Sequence, residues 1–371
     1  MITDKQIESA IAEHGSQAKA AAALGLNRRT VDRRVRGWVK RGYAPEYDLT
    51  RPVPDGFRLK GASTFYDEHG VKRMQWVKSQ IDPERMAELQ HAALEAMAAR
   101  LPRVRPQPFR SVADADLATC YVLTDYHLGM LAWREESGDD WDVPIASDLL
   151  VRWFRSAIDN SPAAGVGILA QLGDFLHWDG LEAVTPTSRH VLDADTRFQK
   201  VVRVAIQAMR QIVQMMLDKH QTVHIINAEG NHDPASSIWL REMLAVIYER
   251  EPRVTVEQSP DPFYCYQHGD VALFFHHGHK VRPGQLDVTM AAKFSDVFGR
   301  TRHRFAHCGH LHHKQMRESA LMLVEQHRTL AAKDAYASRG GWLSGRSASA
   351  ITYHARYGEI SRVTLPPEAV V

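Results

Sequence analysis

Cysteine is scarce in this chain: three in 371 residues, at positions 120, 265 and 308. So sparse and odd a set excludes a disulfide framework, is too scattered for a zinc knuckle, and fits a reducing compartment. No run of about 18 apolar residues occurs, which argues against a membrane-spanning helix. The first residues, MITDKQIESAIAEHG, lack a charged segment leading into an apolar one, so no secretory signal is expected. A cytoplasmic location is the expectation. Charge of one sign is also missing, since the net charge is only +2. Length exceeds that of one typical domain and suits a large catalytic domain with a smaller companion.

Charge is unevenly placed. Residues 1–60 hold 12 Lys and Arg against 7 Asp and Glu, an excess of five, so the remainder carries a net of −3. Residues 3–14 read as a short amphipathic helix, with Thr3 as a candidate cap and Ile7, Ala10 and Ile11 on one face. Residues 16–23 form an Ala-rich helix, and Gly25 supplies a turn. Residues 28–41 form a third helix. Val31, Val35, and Trp38 or Val39 give it an apolar stripe. Its other face carries Arg28, Arg29, Arg33, Arg34, Arg36, Lys40 and Arg41. This order is similar to helix-turn-helix domains, which place a recognition helix in the DNA major groove. The resemblance implies that Arg28, Arg29, Arg33, Arg34 and Arg36 contact DNA phosphates or base edges. A small helical bundle with a solvated basic face is the alternative.

Residues 44–60 contain three prolines and read as a linker. Strands around 62–66 and 71–77 with a turn at 67–70 read as a hairpin. Asp82-Pro83 opens a helix over 83–99, a spacer or a dimerisation helix; a homodimer follows from the second reading. Residues 101–110 are a second, Pro-rich linker. The expected division is therefore 1–43, 44–110 and 111–371.

Beyond residue 117 apolar strands alternate with helices: strands at 117–124, 166–172 and 222–228, helices at 147–158 and 195–220. Two strands follow around a turn at 268–270, then a helix near 287–298 and a strand near 304–308. A hairpin over 351–365 closes the chain. The pattern predicts a layered α/β sandwich flanked by helices.

Histidine is abundant, with 20 in the chain, which directs attention to metal ligands. Five short motifs stand where strands end: Asp125-Tyr-His127, Gly-Asp174, Gly-Asn231-His232-Asp233, His277-Gly-His279 and Gly-His310-Leu-His312. Strand ends are where α/β folds place their sites. Two divalent cations about 3.5–4 Å apart can clamp the attacking and leaving oxygens of a phosphoester. Holding them needs carboxylates, an amide oxygen and imidazoles. Alternation along extended chain is expected to aim Asp125 and His127 to one side, and His310 and His312 likewise. Glycines before Asp174, Asn231 and His310 are read as sharp-turn residues.

This ordered set resembles the calcineurin-like metallophosphoesterases over roughly residues 117–315. The resemblance implies a metallophosphoesterase β-sandwich with two divalent metals. It assigns Asp125, His127 and His312 to the first metal and Asn231, His277 and His310 to the second, with Asp174 bridging. It implies that His232 faces the scissile phosphate and that Asp233 orients His232. His277 is chosen over His276 because it opens the H-G-H. Mixed nitrogen and oxygen donors suit manganese, with zinc, iron, nickel or magnesium as alternatives.

Two details are similar to SbcD-type DNA repair nucleases: the continuation Asp125-Tyr-His-Leu-Gly129, and a His three residues after Asp174. The second gives His177 an expected role in positioning substrate or leaving group. The expected function is a two-metal phosphodiesterase that hydrolyses DNA, brought to DNA by the N-terminal helices. The alternatives are a phosphatase or cyclic-nucleotide phosphodiesterase on small substrates, and a DNA-binding regulator with an inactive esterase domain. Trp178 either stacks a base or packs a core edge. The Gly-rich basic stretch 339–347 either cradles a phosphate or is a plain connection.

Overall fold

The computed structural model describes residues 2, 4–40, 42–44, 49, 53, 57–85, 88, 103–109, 112–186, 188–341 and 343–370. It divides into two compact units, Met1–Arg100 and Leu101–Val371.

The first unit opens with three helices, α1 (Asp4–His14), α2 (Gln17–Ala23) and α3 (Arg28–Lys40). Ser16 caps α2 by accepting from the Lys19 N–H at 3.2 Å, satisfying one of the donors a helix start leaves open. Gly25 takes the left-handed φ of 64° between α2 and α3. Asn27 accepts from the Arg29 N–H at 2.9 Å where α3 begins. Ile7, Ala21, Val31, Val35 and Trp38 form one buried cluster, so the stripe read from the sequence is the packed face.

A hairpin follows, β1 (Phe57–Tyr66) and β2 (Lys72–Ile81). Its turn is organised by Asp67, whose carboxylate accepts from the N–H groups of His69 and Val71. The expected linker over 44–60 is corrected at its end, because β1 begins at Phe57 and Phe57 pairs with Ile81. The expected helix 83–99 shows its first turn at 83–85. Most of that helix, the expected linker residues 101, 102 and 110, and Arg41 lie outside the described residues.

The second unit has two sheets. Its strands are β3 (Asp114–Leu123), β4 (Ala164–Gln171), β5 (Thr222–Asn227), β6 (Val254–Val256), β7 (Tyr264–His268), β8 (Val271–Phe275), β9 (His303–Cys308), β10 (Gln315–Glu318), β11 (Leu323–Gln326), β12 (Ala348–His354) and β13 (Gly358–Leu365). Its main helices are α4 (Val143–Asn160), α5 (Phe198–Lys219), α6 (Pro234–Tyr248) and α7 (Pro283–Lys293). One sheet runs β13-β12-β3-β4-β5-β6, the other β10-β11-β9-β8-β7. Strands β3, β4, β5 and β6 are mutually parallel, as are β8, β9 and β11.

Period-two alternation builds the layers. Ala118, Cys120 and Val122 of β3 pack with Ile168, Ala170, Leu273, Phe275 and Ile351 between the sheets. Tyr121 and Leu123 point the other way, onto Leu150, Phe154, Ile212 and Leu244 of α4, α5 and α6. Beyond the second sheet, Phe274 and Ala306 pack on Leu286 and Met290 of α7. The order is helices, sheet, sheet, helices: a layered α/β sandwich, as expected. Strands covered on both faces read as continuous apolar runs, which is why β3, β4 and β8 are legible in the sequence.

Three helices differ from the expected elements. The expected elements omit α6, which follows the Gly-Asn-His-Asp motif and buries Leu240, Met243, Leu244 and Ile247. The expected helix 287–298 is two, α7 and a short one at Ser295–Arg300, broken at Phe294. The helix expected from residue 195 begins at Phe198; Asp195 instead accepts from the Val143 N–H at the head of α4. No helix among the described residues is long and apolar enough to cross a membrane.

Candidate metal centre

The parallel strands β3, β4, β5, β8 and β9 end on one side of the two sheets, and each of the five motifs follows one of them. Among the described residues six non-glycine residues have positive φ: Asp125, His127, Asp174, Arg189, His310 and His312. Five of the six are the candidate ligands. Left-handed backbone costs a non-glycine residue about 1–3 kcal/mol and persists where surrounding structure enforces it, typically at functional sites. The backbone here is not the extended chain that alternation requires. β3 ends at Leu123 and β9 at Cys308, so Asp125 and His127, and His310 and His312, are aimed by left-handed turns rather than by extended chain.

Glycine has two different uses here. Gly173 takes φ 102°, as a sharp turn requires. Gly230 and Gly309 do not have left-handed φ. A Cβ on Gly230 would lie 1.9 Å from Asp174 Oδ1, and one on Gly309 would lie 1.8 Å from Thr124 Oγ1. Close approach, not turning, excludes a side chain at both.

The donor atoms converge in two groups. Those of Asp125, His127 and His312 lie within 4.8 Å of one another, and so do those of Asp174, His277 and His310. Asp125 Oδ2 accepts from Thr124 Oγ1 at 2.6 Å and from the His310 N–H at 2.8 Å. Its Oδ1 is buried without a hydrogen bond, 3.1 Å from His312 Nε2 and 4.0 Å from His277 Nε2. The Nε2 atoms of His127 and His312 face each other at 3.3 Å. His277 Nδ1 donates to the Leu172 carbonyl at 2.8 Å. That bond fixes the tautomer and leaves Nε2 3.2 Å from Asp174 Oδ2 and 3.1 Å from Asn231 Oδ1. The neighbouring His276 turns away: its Nδ1 meets the Pro262 carbonyl and its ring stacks on Phe263. His279 lies beside His277 and His310, and His313 is exposed.

Burial drives His127 well below the ordinary histidine range, with His232 and His177 adding to it; the ring is neutral, as a ligand must be. At His277 burial opposes a charge, but the Asp174 and Asp125 carboxylates outweigh it and push the pKa up to about 9. The donor set of carboxylates, one amide oxygen and imidazoles, with one carboxylate oxygen orphaned at its middle, fits divalent cations.

Three residues depart from expectation. Asp233 does not orient His232. Its Oδ1 accepts from the N–H groups of Asp174 and Gly230, and its Oδ2 from that of Leu176. Asp233 therefore ties the second motif to the third. Burial and the Asp174 charge push its carboxyl up to about 7, against the three N–H groups, which favour the anion. His232 is oriented instead by the His177 carbonyl, 2.9 Å from its Nδ1. His177 itself stands behind His127, Nδ1 to Nδ1 at 3.2 Å, and is buried. It backs a candidate ligand, and its own Nε2 is buried without a hydrogen bond. Asp179 belongs to no motif in the sequence; it caps α6 through the N–H groups of Ala235 and Ser236, both at 2.6 Å. Trp178 is buried against Phe198, so it packs the core and does not stack a base.

Behind β9 lies a second buried cluster, with no counterpart among the sequence motifs. His307 meets His327 at 2.9 Å and the Tyr353 hydroxyl at 3.0 Å. Glu325 is held by a bidentate Arg362 at 2.7 and 2.8 Å, so its charge is already answered. The cluster supports the His310–His312 turn, because Gln326 Nε2 donates to the His313 carbonyl and the His327 N–H to that of Cys308. Burial raises the Glu325 pKa, but His327 and Arg362 outweigh it and hold it at about 2, below its ordinary 4.5. His327 is itself driven down to about 4 by burial, so Arg362 carries the attraction near neutral pH. A depressed carboxyl pKa gives stability that is present above the unfolded value and lost as pH falls through the folded one. Arg362→Ala is expected to cost about 1–3 kcal/mol at pH 7, by leaving the buried Glu325 carboxylate to the half-exposed Lys314, 3.4 Å away, alone. It is also expected to flatten the loss of stability between pH 4.5 and 2, read from urea unfolding at several pH values.

In the first unit Arg28, Arg29, Arg33 and Arg36 are exposed along α3, with Arg28 3.7 Å from Asp32. Arg34 departs from the expected DNA face: it is half-buried and donates to the Ile2 carbonyl at 2.8 Å. In the stretch 339–347, Arg339 pairs with Glu136, and Arg346 pairs with Asp139 and donates to the Leu330 carbonyl. Both are connections within the fold.

Residues 4–37 match the family described as bacterial regulatory protein, Fis family. No curated protein sequence matches the chain. Among solved structures the chain is similar to a conserved protein from Streptococcus pneumoniae TIGR4 described as a predicted phosphoesterase, at 11% identity and TM-score 0.32, over 70% of this chain and 94% of that one. It is similar to a novel archaeal phosphodiesterase at 16% identity and TM-score 0.34, over 67% and 99%. A 5'-nucleotidase from Candida albicans SC5314 stands at 11% identity and TM-score 0.34, over 72% and 54%. These scores are low, and the fold assignment rests on the layers and strand order above. The described second unit is an α/β sandwich with a candidate metal centre at its strand ends, and the N-terminal helices are similar to a bacterial regulatory family.

Proposed function

We propose that this protein is a two-metal phosphodiesterase that hydrolyses DNA, with residues 1–43 as its DNA reader, 44–110 as a connecting segment and 111–371 as its catalytic domain. The observation that carries the reading is the convergence of Asp125, His127 and His312 beside Asp174, His277 and His310, five of them reached through costly left-handed turns and His277 held in a fixed tautomer. The first trio would hold one cation, and the second, with Asn231, the other; Asp174 would bridge. Two divalent cations, most simply manganese, supply charge for the phosphate oxygens and lower the pKa of water.

The chain's own groups do the rest. His232, with its Nδ1–H held on the His177 carbonyl, would as the imidazolium give its Nε2 proton to the leaving oxygen and be left neutral. His177 holds His127, and Asp233 locks the loops that carry Asp174 and Asn231, so that the donors stay in place when substrate arrives. The continuation Asp125-Tyr-His-Leu-Gly129 and the His at 177, both similar to SbcD-type nucleases, favour DNA among phosphodiesters. A DNA reader on the same chain raises the effective concentration of that substrate.

The reading is tested by cleavage of labelled single- and double-stranded DNA with manganese, beside bis-p-nitrophenyl phosphate and p-nitrophenyl phosphate. DNA cleavage that vanishes in His232→Ala is expected. Turnover of the small esters with DNA left intact would replace it with a small-substrate phosphatase or phosphodiesterase. DNA binding without any turnover would leave a regulator with an inactive esterase domain. The reader has its own test: substituting Arg28, Arg29, Arg33 and Arg36 by alanine should flatten the dependence of log K on log salt by about 0.9 for each DNA phosphate that is no longer neutralised. An unchanged slope in a fluorescence-anisotropy titration would take this face out of the DNA interface.

A further inference from the structure

One cavity beside the candidate metal centre has no part in the function proposed above. It encloses about 960 Å³ and is lined by His310 at the centre's edge, then His279, Arg282, Gln285, Leu311 and Gln315. No lining residue is acidic. Arg282 is exposed at the head of α7, and no carboxylate pairs with it among the described residues. A second guanidinium, that of Arg317, is tied to the Gly284 carbonyl at the cavity wall. His279 has a buried Nδ1 without a hydrogen bond. Leu311 is half exposed and offers an apolar shelf.

The position of this cavity matters as much as its lining. His232 stands with His127 and His177, ring centroids 4.7 and 5.7 Å away. The cavity instead begins at His310, which groups with Asp174 and His277. His232 therefore lies beside the His127 group, and the groove opens from the His310 group. A phosphodiester has two ester arms and a phosphomonoester one. If His232 serves the leaving arm, the other arm needs a place to lie.

We propose that this groove holds the retained nucleotide of a DNA strand, with the next backbone phosphate on Arg282 and base or sugar edges on Gln285, Gln315 and Leu311. This rests on the DNA reading given above. Arginine binds phosphate as a charge-assisted donor, and an apolar shelf receives the face of a base. The groove makes the centre selective for oligonucleotides over small diesters, which reach the scissile site and leave the groove empty.

The test compares Arg282→Ala and Arg282→Glu in the full chain with manganese, on a labelled 12-residue DNA strand and on bis-p-nitrophenyl phosphate. Arg282 is exposed, so neither variant threatens the fold. For the oligonucleotide kcat/KM is expected to fall about tenfold with alanine and about a hundredfold with glutamate, mainly through KM. For the small diester the fall is expected to stay below about twofold. Equal losses on both substrates, or DNA cleavage unaffected by either variant, would overturn the groove alone. Wild-type protein that turns over the small diester and leaves the oligonucleotide intact would overturn the DNA reading, and the groove with it.

Discussion

Asp174→Asn is expected to lower kcat/KM on bis-p-nitrophenyl phosphate about a thousandfold, the several kcal/mol that cation chemistry supplies at about 1.36 kcal/mol per decade. The substitution is isosteric. The hydrogen bond from the His232 N–H to Oδ1 survives in the amide, so the loop carrying His232 keeps its place. The carboxylate oxygen 3.2 Å from His277 Nε2 is replaced by an N–H₂ that repels a cation. His277 loses the charge that chiefly holds its pKa up near 9, and its proton affinity falls with it. Chelator-treated protein should therefore keep its circular dichroism and a cooperative thermal transition, while the manganese-loaded enzyme loses turnover. A loss below about tenfold would mean that Asp174 does not bridge.

The second large effect concerns a residue with no functional group. Gly309→Ala places a methyl 1.8 Å from Thr124 Oγ1 and 2.5 Å from Asp125 Oδ2. Neither can move freely. Thr124 is bonded to Asp125, Asp125 also accepts from the His310 N–H, and the Gly309 N–H donates to the His277 carbonyl. Overpacking of this kind costs about 1–3 kcal/mol, and relief comes only by displacing Asp125, His310 or both. Loss of at least about 2 kcal/mol in urea unfolding is expected, together with weakened manganese binding. Gly299→Ala is the matched control. Gly299 sits in the short helix Ser295–Arg300 with open space around its would-be Cβ, where alanine should stabilise by about 0.5–1 kcal/mol. Equal behaviour of the two variants would show that the approach of Gly309 to the metal-site loop is not tight.

The strands that carry the site are legible because β3, β4 and β8 are covered on both faces and so read as unbroken apolar runs. The ligand motifs are legible because each stands just after such a run. The conformations are not. Asp125, His127, Asp174, His310 and His312 adopt left-handed backbone without being glycine, and the enrichment of Asp and His in that region is too weak to single them out among the chain's many others. Asp233 misleads because a sequence neighbour looks like a natural partner for His232. The peptide turns, however, and presents its carboxylate to the backbone of the Asp174 loop. Helix α6 is hidden behind a motif whose interest lies in its first residues. The His307–Glu325–His327 cluster joins strands paired across long separations in sequence, and Glu325 and His327 sit in no recognisable motif. Only the pairing of β9 with β11 brings them together. Arg34 shows the same limit on α3, since helical spacing aligns it with its neighbours but not with the Ile2 carbonyl it meets.

The most direct test of the two-metal account is manganese stoichiometry, measured by equilibrium dialysis and elemental analysis on the full chain. Two ions per wild-type chain are expected, falling to one in His312→Ala and one in His310→Ala, with turnover lost in both. One ion or none per wild-type chain at saturating manganese would contradict it, because the two groups of donors would then not be two cation sites.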